Sequence, residues 1–137
     1  MITLVSACLL GFPCRHDGSD RRDQGVLDAL AADEIVPVCP EAAGGLGIPR
    51  PAAWREGARV VDALGRDVTA AFDAGARAAS AAAQSFGAGR AILKEHSPSC
   101  GVRSAGTALG RQPGEGLAAA ALRGLGLRLL SEEDVAR

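Results

Sequence analysis

The chain has 137 residues, with 15 basic and 16 acidic side chains and a formal net charge of −1. That length suits one domain, over residues 1–137, with a sizeable buried core, and 47% hydrophobic residues exclude a disordered chain. The balanced charge argues against a protein that binds nucleic acid through its phosphates, and 3% aromatic residues leave few platforms on which bases could stack.

The first part of the chain predicts two strands with a helix between them. A β-branched run predicts a first strand from residue 2 to about Ala7, and residues 35–38 predict a second strand. Ser19 and Asp20 are candidate N-caps for the intervening helix. That helix has an apolar stripe at helical spacing, formed by Val26, Leu27, Leu30 and Ala31.

The middle of the chain predicts a loop and then the longest helix. Residues 41–51 contain too many glycines and prolines for regular structure, and residues 59–67 indicate a short extended segment. Asp67 or Thr69 can cap a helix that ends at about Phe86, just before two glycines. One face of this helix is apolar at spacings of three and four, with Phe72, Ala76, Ala79, Ala83 and Phe86.

The last third of the chain continues the alternation of strands and helices. It predicts a third strand at residues 90–94, a helix at residues 116–123, a fourth strand at residues 127–130 and a short terminal helix from residues 131–134. Strands separated by helices form right-handed crossovers. The sequence therefore predicts a single-domain, Rossmann-like α/β fold. We expect a mostly parallel sheet, helices on both faces and a site at the carboxyl ends of the strands.

Four cysteines, Cys8, Cys14, Cys39 and Cys100, stand out in this composition. Their spacing contains no C-x-x-C pair, so neither a zinc ribbon nor a thioredoxin-type dithiol is supported. Cys8 follows the first predicted strand, Cys39 the second, and Cys100 the loop after the third. Because the carboxyl ends of parallel strands meet at one edge, these three thiols can converge there on an iron–sulfur or zinc site. The competing interpretation is that each is a small buried hydrophobic residue.

The start of the chain argues for reduced thiols. Residues 1–10 are mostly apolar but carry no Lys or Arg, and the apolar stretch is too short for a secretory signal. No apolar run approaches the ~18 residues that cross a bilayer. We therefore expect a cytoplasmic protein with no membrane partner, in which cysteines serve as metal ligands or catalysts more often than as disulfides.

Two segments place other polar groups beside a cysteine: Cys39-Pro40-Glu41 adds a carboxylate, and Ser97-Pro98-Ser99-Cys100-Gly101 adds hydroxyls. These two segments are the most specific of several that together resemble the thiouracil desulfidase family. The resemblance runs in order through nearly the whole chain, from residue 2 to residue 133. Further matching segments are Val5-Ser6-Ala7-Cys8-Leu9-Leu10-Gly11, Cys14-Arg15-His16-Asp17-Gly18, Ile48-Pro49-Arg50-Pro51 and Ala91-Ile92-Leu93-Lys94.

The resemblance implies a [4Fe–4S] cluster held by Cys8, Cys39 and Cys100, with one iron left open. It also implies that Glu41 and Ser97 are the catalytic residues. The implied reaction is the hydrolytic, non-redox conversion of a 2-thiouracil-like base to its oxo form, in which Glu41 activates water and the open iron accepts the sulfur. The implied partner is a small thiolated pyrimidine and not a nucleic acid polymer, and a homodimer is compatible with the resemblance.

Two other functions stay open at this level. The first is a small-ligand-binding module in which the thiols hold a structural zinc ion. Alternatively, Cys14 beside Arg15 would carry sulfur as a persulfide, which requires a thiol of low pKa. The residues alone leave four roles undecided, those of Cys14, His16, His96 and Ser99.

Overall fold

The computed structural model describes residues 1–135, which form strands and helices connected by loops. The strands are β1 (Ile2–Ser6), β2 (Glu34–Val38), β3 (Ala53–Glu56), β4 (Arg59–Asp62), β5 (Arg90–Leu93), β6 (Ser104–Thr107), β7 (Gly110–Pro113) and β8 (Arg128–Ser131). The helices are α1 (Gln24–Ala29), α2 (Pro40–Ala43), α3 (Thr69–Phe86) and α4 (Leu117–Gly124), with 3₁₀ turns at Ala7–Leu10 and Glu132–Asp134. None of these helices is long and apolar enough to cross a membrane.

The strands form two sheets. Strands β2, β1, β5 and β8 lie in that order in a sheet whose neighbouring strands are all parallel. Strands β4, β3, β6 and β7 form a second sheet, built of two antiparallel hairpins joined by a parallel pairing of β3 with β6. The first sheet confirms the predicted α/β class with mostly parallel strands, since helices separate its strands along the chain.

The parallel sheet is covered on both faces, and strand β1 shows why. Successive side chains of a strand point to opposite faces, and both Leu4 and Val5 are completely buried. Leu4 packs with small residues of α3 and α4, whereas Val5 packs with Val26 and Leu30 at α1. Continuous apolar strands of this kind are typical of a sheet buried on both sides.

Helix α3 has the bounds that its sequence predicts, but neither Asp67 nor Thr69 is its N-cap, which is Val68 and has no side-chain capping hydrogen bond. The carboxylate of Asp67 accepts a hydrogen bond from the Thr69 N–H at 3.0 Å. Gly87 ends the helix in the left-handed conformation, with a φ of 68°. The predicted apolar face is buried except at Phe86, which is 59% exposed. Phe86, the last residue of the helix, therefore continues the apolar pattern in sequence without belonging to the buried face.

Gly75 allows α3 to approach the short helix α2. A Cβ atom at Gly75 would overlap the carbonyl oxygen of Pro40, and a Cβ atom at Gly44 would overlap the carbonyl oxygen of Ala71. Only residues without a side chain permit so close a contact. The contact holds residues 39–41 against the long helix and so fixes the position of this segment at the end of β2.

The second sheet and helix α2 differ from the sequence predictions. The loop expected over residues 41–51 overlaps α2, and the extended segment expected over residues 59–67 is one strand of the β3–β4 hairpin. The β6–β7 hairpin lies where no strand was predicted. Its strands have four residues each, and β7 is exposed throughout. A strand is identified in sequence by alternating apolar and polar residues. Neither of these strands shows that alternation over enough residues to be identified.

Two helix starts also differ from prediction. Helix α1 begins after Asp23, whose carboxylate accepts a hydrogen bond from the Val26 N–H at 3.0 Å, so neither Ser19 nor Asp20 caps it. The segment after β8 is a 3₁₀ turn rather than the start of an α-helix, and Ser131 forms its capping box.

Candidate active site

A cavity of about 240 Å³ lies at the carboxyl ends of strands β1, β2 and β5. The three cysteines predicted to follow strands, Cys8, Cys39 and Cys100, all line it. Glu41 and Ser97, to which the resemblance assigns catalysis, line the same cavity. The fold thus brings together all five predicted site residues, at the sheet edge where open α/β folds bind their ligands.

Each thiol lies in a turn that follows a strand. Cys8 is buried in the 3₁₀ turn directly after β1, and Cys39 is half-buried at the start of α2, directly after β2. Cys100 is buried in the loop after β5. These turns are neighbours because β1 lies between β2 and β5, so thiols that are distant in sequence share one cavity.

The hydroxyl of Ser97 holds the turn that carries Cys100. Its oxygen accepts hydrogen bonds from the N–H groups of Ser99 at 3.1 Å and Cys100 at 3.0 Å. A Cβ atom at Gly101 would overlap the carbonyl oxygen of Ser104, so only glycine fits there. Ser97 therefore shapes the Cys100 turn while keeping its own hydroxyl proton available to donate.

Glu41 reaches the cavity from the first turn of α2. Its side chain is 21% exposed and forms an ion pair with Arg50, with 3.4 Å between Oε1 and Nε. The guanidinium of Arg50 also donates to the carbonyl oxygen of Cys14 at 2.9 Å. Sequence reasoning assigned no role to Arg50, and the signal available for it was its place in the segment Ile48-Pro49-Arg50-Pro51.

The four thiols have different electrostatic environments. Burial raises the pKa of Cys8 to about 11. Burial also raises the pKa of Cys100 above its usual range, against the opposing effect of a hydrogen bond with Ser6. A hydrogen bond from the Cys14 thiol lowers the pKa of Cys39 to about 6, and the same bond raises the pKa of Cys14. Cys39 is thus the cavity thiol that ionises most readily.

The model of the family described as 2-thiouracil desulfurase matches residues 3–134. This chain belongs to that family. A relative from Bacillus subtilis (strain 168), named "Uncharacterized protein YbbK", is 37% identical in an alignment of 145 positions, gaps included, which covers 96% of each protein. A solved structure described as the [4Fe-4S]-dependent thiouracil desulfidase TudS is 44% identical, with a TM-score of 0.89, over 96% of this chain and 90% of that one.

Membership of the 2-thiouracil desulfurase family confirms the resemblance that the segments around Cys39 and Cys100 indicated. The TM-score of 0.89 at 44% identity likewise confirms the predicted α/β fold. Its family membership therefore identifies the chain as a desulfidase. Its cavity, with thiols, a carboxylate and a hydroxyl, is the candidate active site of this desulfurase.

Two observations bear on the other functions that the sequence of this desulfurase left open. Within residues 1–135, no three His, Cys, Asp or Glu side chains are grouped as ligands of one metal ion, which a structural zinc site requires. A persulfide carrier requires a thiol of low pKa, and the hydrogen bond between Cys14 and Cys39 raises the pKa of Cys14 while it lowers that of Cys39. The residue predicted for the carrier, Cys14, therefore lacks the required pKa.

Of the four residues with undecided roles, Cys14, His16 and His96 line the desulfurase cavity. Partial desolvation lowers the pKa of His96, and its φ of 72° is uncommon for a residue with a side chain. The fourth, Ser99, is fully buried, and its hydroxyl has no hydrogen-bond partner within residues 1–135. The neighbouring hydroxyls of Ser97 and Ser99 therefore differ, since only that of Ser97 holds the Cys100 turn.

Glu95 is a further cavity residue that sequence reasoning missed. Its side chain is 1% exposed, and its Oε1 accepts hydrogen bonds from the N–H groups of residues 102–104 at 2.8 to 3.0 Å. Burial opposes its ionisation, but these hydrogen bonds hold the pKa of Glu95 below its usual value. Glu95 therefore closes the loop that carries Cys100 by joining its two ends.

We expect iodoacetamide to modify Cys39 before Cys8 or Cys100 in the reduced, metal-free desulfurase near pH 7. The thiolate is the reactive form of cysteine. The pKa of Cys39 is lowered to about 6, whereas burial raises the pKa of Cys8 and of Cys100. Peptide mass spectrometry at short reaction times measures each site, and the urea-unfolded chain is the control in which all thiols react alike. Equal modification of the folded protein, or Cys100 first, would contradict this ranking.

Proposed function

We propose that this chain converts a thiolated pyrimidine of the 2-thiouracil type to its oxo form, with a [4Fe–4S] cluster bound by Cys8, Cys39 and Cys100. The observation that carries the proposal is the convergence of these thiols with Glu41 in one cavity at the edge of the parallel sheet. The similar structure TudS, described as a [4Fe-4S]-dependent thiouracil desulfidase, supports the same cofactor and substrate class.

The donor set suits an iron–sulfur cluster. Such clusters are bound by cysteine thiolates, and these three cysteines, which come from three separate turns, line one cavity. A four-iron cluster with three protein thiolates keeps one iron without a protein ligand. When bound, the cluster supplies at that iron a Lewis acid that suits a soft thiocarbonyl sulfur.

Glu41 is the general base in this proposal. Its carboxylate lies in the cavity wall, partly open to solvent. It takes a proton from a water molecule while the water oxygen bonds to the thiocarbonyl carbon, and the C–S bond then breaks so that sulfur leaves as sulfide. Oxygen replaces sulfur at the same oxidation level of carbon, so the reaction needs no net electron transfer.

Ser97 orients the reacting groups. Its oxygen already accepts two backbone N–H bonds, so its remaining contribution is the single hydrogen bond that a hydroxyl can donate. Ser97 lines the same cavity as Glu41. Its proton is therefore placed to hold either the attacking water or the pyrimidine ring.

The size of the cavity favours a small substrate. Its volume of about 240 Å³ lies below the range of about 300–1,000 Å³ for typical ligand pockets. A single base fits this size better than a nucleic acid polymer does. The cytoplasmic location, the lack of a polymeric partner and the homodimer stay predictions.

The proposal is tested by anaerobic reconstitution of the purified chain and incubation with 2-thiouracil. We expect the thiouracil absorbance to fall and uracil and sulfide to form, but only in protein that carries iron and acid-labile sulfide. Cluster-free protein is the control. Unchanged 2-thiouracil beside an intact cluster would refute the substrate assignment. Colourless protein with one zinc per chain after anaerobic purification would favour the zinc module instead.

A further inference from the structure

Arg50 is a buried cation in the cavity wall to which the proposed reaction assigns no task. Its side chain is 6% exposed, and its Nε lies 3.4 Å from Oε1 of Glu41. Its two terminal nitrogens donate to the carbonyl oxygens of Cys14 at 2.9 Å and Gly47 at 3.2 Å. A buried charge is stable only when it is paired and hydrogen-bonded. These contacts therefore explain how Arg50 is accommodated at this position.

The contacts of Arg50 connect the segments on either side of the proposed ligand Cys39. The Cys14 carbonyl oxygen that accepts from Arg50 lies 3.6 Å from the Sγ atom of Cys39. Glu41 follows Cys39 by two residues, in a helix of four residues. The backbone of this helix is held against α3 through Gly75. The Glu41 side chain is partly exposed, however, and the guanidinium is the group that supports its carboxylate.

A guanidinium suits this task better than an ammonium does. The guanidinium is planar, and its N–H groups point in fixed directions. In Arg50, Nε faces Glu41 while the terminal nitrogens face two carbonyl oxygens. A lysine would keep the charge but donate from one nitrogen, so it would not reproduce all these directions. The three hydrogen bonds of Arg50 therefore need N–H groups in fixed directions as well as a positive charge.

We propose that Arg50 is a positioning residue for desulfuration, which holds the Glu41 carboxylate in the orientation that accepts the proton of water. The inference rests on the role proposed above for Glu41. Without Arg50, the partly exposed carboxylate is free to rotate toward solvent. Misplacing a catalytic group by about 1 Å lowers the rate on the order of 100-fold. The loss falls on the chemical step, because all three guanidinium nitrogens of Arg50 already donate to Glu41, Gly47 and Cys14.

The experiment compares cluster-loaded wild type with Arg50→Gln, Arg50→Lys and Glu41→Gln. Arg66→Gln is the matched control, since Arg66 also pairs with a carboxylate, that of Asp62, but does not line the cavity. We expect kcat on 2-thiouracil to fall about 100-fold in Arg50→Gln and about 10-fold in Arg50→Lys. KM, iron per chain and the calorimetric affinity for uracil should stay within about threefold of wild type, as expected when only the chemical step loses an interaction.

A double-variant cycle separates this inference from the proposed function. If Arg50 acts through Glu41, the variant with both Arg50→Gln and Glu41→Gln is no slower than Glu41→Gln alone. Additive losses would overturn the inference and leave the role of Glu41 intact, and so would iron loss in Arg50→Gln with normal kcat per cluster. An inactive wild type with an intact cluster would overturn the proposed function, and the inference with it.

Discussion

Replacing Cys8, Cys39 or Cys100 with serine, one at a time, is expected to abolish desulfuration of 2-thiouracil. Each change removes one of the three thiolates proposed to bind the cluster. Loss of an outer-shell partner of a metal site typically lowers metal affinity or activity by about 10–100-fold. Loss of a direct ligand is therefore expected to lower activity by more than about 100-fold. The three variants should behave alike, although their positions in the chain differ, because each would remove one of the three thiolates proposed to hold the same cluster.

Anaerobic measurements of iron, acid-labile sulfide and visible absorption per chain check this expectation beside the rate. Cys14→Ser is the matched control, because Cys14 lines the same cavity but is not a proposed ligand, and it should keep its iron. Alanine variants of the buried Cys8 and Cys100 separate the lost ligand from the cost of a buried hydroxyl. An intact cluster in Cys100→Ser, or iron loss in Cys14→Ser, would contradict the proposed ligand set.

Glu41→Gln is expected to lower kcat by about 10²–10⁴-fold and to leave the cluster in place, as general bases typically contribute by this factor. The amide has the shape of the carboxylate, and its oxygen can still accept a hydrogen bond from Arg50. It cannot take a proton from water at neutral pH. The loss therefore isolates proton transfer from binding and from the shape of the cavity.

The measurement is kcat and KM for 2-thiouracil at matched iron content. Glu56→Gln is a suitable control, because Glu56 lies on β3, pairs with Arg59 and does not line the cavity. Full activity in Glu41→Gln would eliminate Glu41 as the base. A variant that had lost its iron would instead point to a role of Glu41 in holding the cluster.

The parallel sheet and the long helix could be predicted because each carries a strong local pattern. Val5 belongs to an apolar run that is buried on both faces of the sheet, and α3 repeats small apolar residues up to the terminating Gly87. The β6–β7 hairpin carries no such pattern, since all of Gly110–Pro113 is exposed. Strand β7 is held by backbone pairing with Ser104–Thr107, and such pairing leaves little trace in the order of the side chains.

The candidate site divides in the same way. Convergence of Cys8, Cys39 and Cys100 was predictable, because the topology of a parallel sheet brings the ends of its strands together. The place of Arg50 in the site was not predictable, because its guanidinium contacts the carbonyl oxygen of Cys14, 36 residues away in sequence. The short helix that carries Glu41 was also missed, since four residues between breakers have too few turns to show periodicity.

By itself, the sequence determined the α/β class, the family resemblance and the three cysteines that follow strands. Only the tertiary structure decided that Arg50 pairs with Glu41, that the Cys14 thiol contacts Cys39, and that the pKa of Cys39 is the lowered one. The physical reason is range. Hydrophobic periodicity acts over a few neighbouring residues and is legible along the chain, whereas ion pairs and pKa shifts depend on distances that arise only when remote segments pack together.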